Sequence, residues 1–253
     1  MTASRAVVGA GLAAVLMRVL AGRLPGPPDR WRRTNFRGRE VSLVPGPALA
    51  GAVALSCRTP WPGLLAAGGA GLVGGYDDAV GGRDQAKGLL GHAAALRAHR
   101  LTAGSVKVVG VSAAGIAAAV AAGSRTPAEV LRDGAVVAGS ANLLNLLDLR
   151  PGRALKAGAL AAGLLGEPGV AAACLAVLPS DLAEEAMLGD AGANALGAVL
   201  GVAVLRALPG RRGRSVALTA LVLLTAASER VSFSAVIDRT PALRALDQLG
   251  RRP

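Results

Sequence analysis

The sequence predicts an all-α protein, a polytopic transmembrane bundle of about nine helices over residues 1–228, followed by a basic tail over residues 229–253. Composition is the first reason, because 52% of the 253 residues are hydrophobic and only 17% are charged. With a mean hydropathy of +0.47, the chain carries more apolar surface than a soluble fold of this size can bury. The second reason is that apolar stretches alternate with short, basic, turn-forming segments. The bundle is therefore predicted to be a single integral membrane domain.

Nine apolar stretches each predict one helix, and the first is expected to be a retained helix rather than a cleaved signal. The stretches are 6–22, 44–57, 62–76, 103–123, 128–148, 155–166, 168–179, 189–208 and 214–228. Several are shorter than the roughly 20 residues that cross a bilayer unaided, so these helices would tilt or recruit flanking residues. Turns such as Pro25-Gly26-Pro27-Pro28 and Glu167-Pro168-Gly169 separate the stretches. Because aromatic residues make up only 2% of the chain, small side chains are expected to let the helix backbones approach closely.

The distribution of basic residues predicts how the bundle is oriented. If the helices cross alternately, the loops on one side carry 18 Lys and Arg residues and those on the other side carry 8. The first set comprises loops 23–40, 77–103, 148–156 and 180–190 and the tail from residue 228. Basic loops stay in the cytoplasm, so the N-terminus is predicted to lie outside and the C-terminus inside the inner (plasma) membrane, although segment 206–214 argues locally for the opposite.

The formal net charge of +12 comes from these loops rather than from one face of a soluble domain. Anionic lipid headgroups and anionic substrates account for this charge better than nucleic acid does. The basic tail is predicted to be either an amphipathic helix on the membrane surface or a docking segment. The two cysteines, Cys57 and Cys174, both fall in apolar stretches, so the sequence predicts no disulfide framework.

Three acidic segments end or begin predicted helices on the cytoplasmic side. Asp77 and Asp78 end the third helix, Asp148 ends the fifth, and Asp190 begins the eighth. An adjacent carboxylate pair at a membrane boundary is costly unless a cation compensates for it. Magnesium prefers oxygen ligands and usually shares its coordination sphere with substrate phosphates, so these acids predict a Mg²⁺ site. The simpler alternative is that Asp77 and Asp78 merely end a helix and face water.

Polar residues near these acids are candidates for binding substrate. Asn142, Asn145 and Asp148 are three residues apart, so on a helix they form one stripe that must face the bundle interior. The stripe could bind substrate or could hydrogen-bond neighbouring helices together. Arg83 and Lys87, in the loop after the Asp pair, are suited to hold phosphate oxygens. The alternative for these two is ordinary basic charge on a cytoplasmic loop.

Taken in order, four segments resemble motifs of the polyprenyl-phosphate N-acetylhexosamine-1-phosphate transferase superfamily, which includes phospho-N-acetylmuramoyl-pentapeptide transferase. The segments are Gly75-Tyr76-Asp77-Asp78, Lys87-Gly88-Leu89, Asn142-x-x-Asn145-x-x-Asp148 and Met187-Leu188-Gly189-Asp190-x-Gly192. The resemblance covers roughly residues 35 to 205. The occurrence of these motifs in the same order on three predicted helices is more specific evidence than any single motif.

The resemblance implies a Mg²⁺-dependent phosphoglycosyl transferase at the cytoplasmic membrane surface. In that family the phosphate of a polyprenyl phosphate attacks the β-phosphorus of a UDP-sugar, and UMP leaves. Asp190 matches a metal ligand, and Asp148 matches an acid of a catalytic and metal-binding stretch. Asp77 and Asp78 match a catalytic pair that handles the lipid phosphate, a proton or the metal, and Lys87 matches a lysine of the phosphate loop. The expected partners are the lipid, the UDP-sugar and the membrane, and a homodimer is compatible with such a bundle.

The chain departs from the family pattern in two places. After Asp148 the family carries Gly-x-Asp-Gly, whereas this chain has Leu149-Arg150-Pro151-Gly152. The family's His-rich loop near the C-terminus is also absent, because residues 228–253 contain no His. These departures favour an alternative, a catalytically inactive member of the same fold that binds polyprenyl phosphate or an envelope-assembly partner. A small-solute transporter fits less well, since it would need ionisable residues near helix midpoints.

Overall fold

The structure is a computed structural model that describes residues 2–80 and 103–252, and in this part of the chain it is almost entirely helical. The α-helices are α1 Thr2–Leu20, α2 Pro45–Ser56, α3 Pro60–Val80, α4 Ala103–Ala121, α5 Pro127–Leu147, α6 Arg153–Leu164, α7 Pro168–Leu182, α8 Gly189–Ala207, α9 Arg211–Ser228, α10 Phe233–Arg239 and α11 Pro241–Gln248. A 3-10 helix, Pro28–Trp31, and two short strands, β1 Arg32–Thr34 and β2 Glu40–Ser42, follow α1. The predicted all-helical class is confirmed.

Helices α1 to α9 coincide with the nine predicted apolar stretches, and their ends agree within four residues. Proline or a capping residue sets many of the starts. Helix α5, for example, begins after Thr126, whose side chain accepts from the N–H of Glu129 while the Glu129 carboxylate accepts from the N–H of Thr126. This reciprocal cap satisfies two donors that the first turn of a helix leaves free.

Three of the described helices are long and apolar enough to cross a membrane, namely Thr2–Leu20, Gly104–Ala121 and Gly189–Ala207. A fourth crossing results if α9 and α10, which meet at a bend of 90°, count as one broken span. Large apolar side chains also point out of the bundle, as Leu72 on α3 and Leu164 on α6 do with 80% and 81% of their surface exposed. This exposure suits an apolar surrounding better than water.

Small residues build the core, and α8 lies at its centre. Gly74 on α3 lies so close to the backbone of Asp190 on α8 that an added Cβ would clash with it. Gly197 on α8 approaches the backbone of Ser140 on α5 in the same way. The helices pack through close approach of their backbones rather than through large interdigitating side chains, as the composition predicted. Cys57 and Cys174 both belong to the core and are 3% and 0% exposed.

Polar contacts gather at the two ends of the bundle. One end, called here the acidic end, holds Asp77, Asp78, Asp148 and Asp190. The other end holds two ion pairs in which a buried acid meets a partly exposed arginine, Glu167 with Arg206 and Asp133 with Arg214. These pairs measure 3.1 Å and 2.6 Å. Among the described helices, α3 and α5 therefore finish at the acidic end and α8 starts there.

A β-hairpin that the sequence analysis did not predict covers part of the acidic end. Strands β1 and β2 pair antiparallel with Arg33 opposite Val41, and Ser42 forms a further bridge with Ala186. Asn35 closes the turn, because its Oδ1 accepts from the N–H groups of Arg37 and Arg39. The Arg33 guanidinium donates to the backbone carbonyl of Asp78, which ties the hairpin to the end of α3.

The basic tail is helical and docks on the start of α6. The buried Arg153 donates to both carboxylate oxygens of Asp247, at 2.8 and 3.1 Å. Its third nitrogen donates to Ser234, and Lys156 donates to the carbonyls of Leu246 and Asp247. These contacts hold the tail against α6, and both alternatives for its role stay predictions.

Candidate functional site

The four predicted acids come together around the N-terminus of α8. Asp78 Oδ1 accepts from the N–H of Asp190 at 3.0 Å, and its Oδ2 accepts from the N–H of Ala191 at 2.9 Å. A carboxylate in this position satisfies two free N–H groups and faces the positive end of the helix dipole. Gly189 is required next to it, since its φ is +60° and an added Cβ would lie 2.9 Å from both Asp78 oxygens.

Asp148 also faces this helix start. It lies just after the last residue of α5, is 8% exposed, and accepts from the N–H of Gly189. Burial, followed by the charges of Asp181, Asp190 and Asp78, raises the pKa of Asp148 well above its usual range. The first three N–H groups of α8 are therefore engaged by Asp148 and Asp78, so these two acids position the helix that carries Asp190.

Asp77 and Asp190 share a cation that belongs to the chain itself. Lys107 Nζ lies 2.6 Å from Asp190 Oδ1 and 3.3 Å from Asp77 Oδ2. All three side chains are partly open, with 15 to 23% of their surface exposed. Lys107 is not among the site residues predicted from the sequence, although a lysine in the second turn of an apolar helix is a signal that an acidic partner lies nearby.

The carboxylates of this cluster are the type of ligand that Mg²⁺ prefers, but there are fewer of them than a complete coordination sphere needs. Asp77 and Asp190 offer oxygen ligands on the open side of the cluster, and Mg²⁺ commonly takes one or two carboxylates together with substrate phosphates. Within residues 2–80 and 103–252, however, no group of three or more His, Cys, Asp or Glu side chains is arranged to hold a metal. Asp190 and Asp77 would thus hold the ion jointly with a bound phosphate, with Lys107 shifted from its position between them. The metal roles of Asp190 and Asp148 stay predictions.

A cavity of about 640 Å³ opens beside this cluster, between α4, α5, α8 and α9. Most of its lining is apolar, including Val108, Val111, Leu146, Leu218, Leu221 and Val222. Asp77 and Lys107 line the same cavity, together with Asn142, Asn145 and Asn194. An elongated apolar ligand with a polar head matches this distribution.

The two predicted substrate-binding asparagines, Asn142 and Asn145, both line this cavity. Asn142 Nδ2 donates to Thr225 Oγ1 on α9 at 3.1 Å, which is the interhelical contact expected from the alternative interpretation of the polar stripe. Arg83 and Lys87, the two predicted phosphate-binding cations, lie outside the described residues.

A smaller cavity of about 250 Å³ lies under the hairpin, where the chain departs from the family motif. Pro151 and Arg150 line it, and the Arg150 guanidinium lies 4.2 Å above the centre of the Phe36 ring. The buried Asp181, which the sequence analysis did not select, lines it too and accepts from the N–H of Gly152 at 2.8 Å. A second carboxylate therefore lies beside this loop, contributed by α7.

Comparison with known proteins gives no match from which the function of this site could be inferred. The chain matches no family model, no curated protein and no solved structure.

Proposed function

We propose that this protein transfers a sugar-1-phosphate from a UDP-sugar to a polyprenyl phosphate, with Mg²⁺, as a step of cell-envelope glycan synthesis. The observation that carries the proposal is that Asp77 and Lys107 line an apolar cavity, while Lys107 also pairs with Asp190 beside it. A polyprenyl phosphate joins a long apolar chain to one anionic group. A single site of this kind can hold both parts of that lipid.

The cavity gives the lipid a route from the bilayer. One of its walls is α9, on which Val222 lines the cavity and its neighbour Leu223 is 63% exposed. Placing helices α1 to α9 across the bilayer would put this wall in contact with lipid tails. The acidic end would then face the cytoplasm, where the more basic loops are predicted and where UDP-sugars are available.

The charges around the cavity suit transfer between two phosphates. Such a reaction brings two anions together, so catalysis depends on cations that neutralise them and hold them in line. Lys107 supplies one positive charge. Mg²⁺ held by Asp77 and Asp190 would supply the rest by neutralising phosphate oxygens of the sugar nucleotide.

A second candidate is a non-catalytic protein of the same fold that binds polyprenyl phosphate. The observation that favours it is again Lys107, because its ammonium already neutralises the two acids that are best placed to hold a metal. The proline at position 151, where the resembled family has an acid, points the same way.

The deciding experiment measures UMP release by the purified chain with Mg²⁺, undecaprenyl phosphate and a panel of UDP-N-acetylhexosamines. We expect turnover with at least one donor, and a loss on the order of 10³-fold or more in Asp190→Asn. Asp238→Asn, which changes an exposed acid on α10, is the matched control and should keep full activity. Lipid binding without turnover for any donor would favour the non-catalytic candidate.

A further inference from the structure

Asn194 on α8 carries a polar group that the described fold does not satisfy. The residue is 1% exposed, and its Nδ2 finds no hydrogen-bond partner among residues 2–80 and 103–252. A buried donor without a partner costs free energy in the folded state, and such groups are rare in native proteins. A ligand that brings an acceptor would remove this cost.

The side chain lies in the lining of the cavity beside the acidic cluster. It follows Asp190 by four residues, so both lie on the same face of α8 with Asn194 about 6 Å deeper along the helix. Close contacts of Gly197 with Ser140 and of Gly201 with Val137 show that α8 runs antiparallel to α5. Extending this alignment places Asn194 level with Leu144 of α5, between the two other asparagines of the cavity.

The comparison with Asn142 shows what is unusual about Asn194. Both asparagines line the same cavity, but Asn142 donates to Thr225 and so joins two helices. Asn194 makes no such contact with the described residues, and its neighbours on α8, Ala193, Ala195 and Leu196, are buried and apolar. A purely structural role would be better served by an apolar side chain at this position.

The acceptor that fits is an anionic oxygen. Lys107 and the three asparagines offer one ammonium and several amide N–H groups around the cavity. Hydrogen bonds to a charged acceptor are roughly twice as strong as neutral ones, and more so where water is excluded.

We propose that Asn194 is a binding residue for a lipid phosphate, with its side-chain amide donating to a phosphate oxygen of a lipid that fills the cavity. This rests on the lipid-binding part of the proposed function and not on transfer itself. The phosphate would thus be held by Lys107 and Asn194 together, on the bundle side of the acidic cluster.

The test uses Asn194→Leu in the full chain and measures both thermal unfolding and lipid binding. The ligand-free variant should unfold at the same temperature as the wild type or higher, since an unpaired amide is replaced by an apolar side chain. Its affinity for undecaprenyl phosphate should fall roughly ten- to a hundredfold, the effect of losing one hydrogen bond to a charged group. Asn194→Ser, which keeps a donor, should retain part of the binding.

Three controls separate the alternatives. Asn35→Leu removes an asparagine whose partners are Glu184 and two backbone N–H groups, so it should lower the unfolding temperature. Polyprenol, which lacks the phosphate, should bind equally to the wild type and to Asn194→Leu. Inorganic phosphate should compete poorly with the lipid.

Three results would overturn the proposal. A lower unfolding temperature with unchanged lipid binding would make Asn194 structural, and equal weakening of polyprenol binding would remove the phosphate contact. Strong binding of inorganic phosphate that is lost in Asn194→Leu would assign the site to a free anion instead of a lipid. Each result is independent of UMP release, so failure of the transferase proposal would be seen separately.

Discussion

Lys107 Nζ lies 2.6 Å from Asp190 Oδ1, so the acid that is predicted to bind Mg²⁺ is paired with an ammonium group of a neighbouring helix. Asp77 Oδ2 lies 3.3 Å from the same ammonium. The free protein therefore has an internal counterion between two carboxylates, and a divalent ion would have to compete with it.

Removing this counterion should create a metal site. In Lys107→Gln the Asp77 and Asp190 carboxylates would face each other without a positive charge between them, and a divalent cation would relieve their repulsion. We expect Mn²⁺ to bind the ligand-free variant at least about tenfold more tightly than the wild type, as measured by electron paramagnetic resonance. The double variant with Asp190→Asn should lose this gain. Equal Mn²⁺ affinity in the wild type and the single variant would contradict the role given to Lys107.

The adjacent acids Asp77 and Asp78 should differ in what they stabilise. Asp78 accepts from two N–H groups of α8, whereas Asp77 contacts Lys107. We expect Asp78→Asn to lower the free energy of unfolding by about 1 to 2 kcal/mol, through loss of a charged helix cap. Asp77→Asn should change stability less while still impairing transfer. Denaturation of the two variants in the same detergent measures the difference, and equal losses would be inconsistent with the hydrogen bonds described.

The close approach of α3 and α8 should make one glycine sensitive to substitution. Gly74→Ala places a methyl group against the backbone of Asp190, so the helices must separate, at a cost of roughly 1 to 3 kcal/mol. Gly68→Ala on the same helix is the matched control, because its Cβ meets no described atom within 4 Å. Thermal unfolding of both variants tests the contrast. Tolerance of Gly74→Ala with full activity would show that α3 and α8 are not in contact there.

The docking of the tail should depend on pH through Asp247. Partial burial alone would raise its pKa, but hydrogen bonds from Arg153 and the charges of Arg153 and Arg251 hold the pKa of Asp247 below its usual range. A lowered pKa means that the stabilisation is complete above about pH 4, the value for an unfolded chain, and is lost as the pH falls through the folded value.

We therefore expect the wild type to unfold at a higher temperature than Asp247→Asn at neutral pH, with the difference shrinking as the pH falls below about 4 and vanishing below the folded pKa of Asp247. Comparing the two proteins at each pH cancels the titration of other acids. Asp238→Asn should show no such difference, because its carboxyl group is exposed. A gap between wild type and Asp247→Asn that does not shrink as the pH is lowered below about 4 would mean that the tail is held by other contacts.

The helices could be predicted because their signals are local. Apolar stretches bounded by proline and glycine mark α1 to α9, and alternating direction then brings Asp77, Asp78, Asp148 and Asp190 to one end. The β-hairpin was missed because β1 and β2 are three residues each and occur in a basic loop with little hydrophobic pattern. Its stability comes from contacts with Ala186 and Asp78, far away in the sequence.

The site residues that were not predicted from the sequence were missed for a different reason. Lys107 and Asp181 each depend on a neighbour from a distant part of the chain, and Asn194 lines a cavity that several helices form. No spacing in the sequence encodes these surroundings. A charged or amide side chain within an apolar helix does indicate that something must satisfy it, but it does not say what. The unpaired amide of Asn194 was visible only once three surrounding helices were in place.

Because Cys57 and Cys174 are buried, the orientation of the protein in the membrane can be measured by labelling an introduced cysteine. Neither thiol reaches the surface, so a single cysteine introduced at an exposed position should be the main target of an impermeant maleimide in intact cells. Asp29→Cys in the 3-10 helix and Ala122→Cys after α4 lie toward opposite ends of the bundle. If the acidic end faces the cytoplasm, only the second variant will be labelled before the cells are opened.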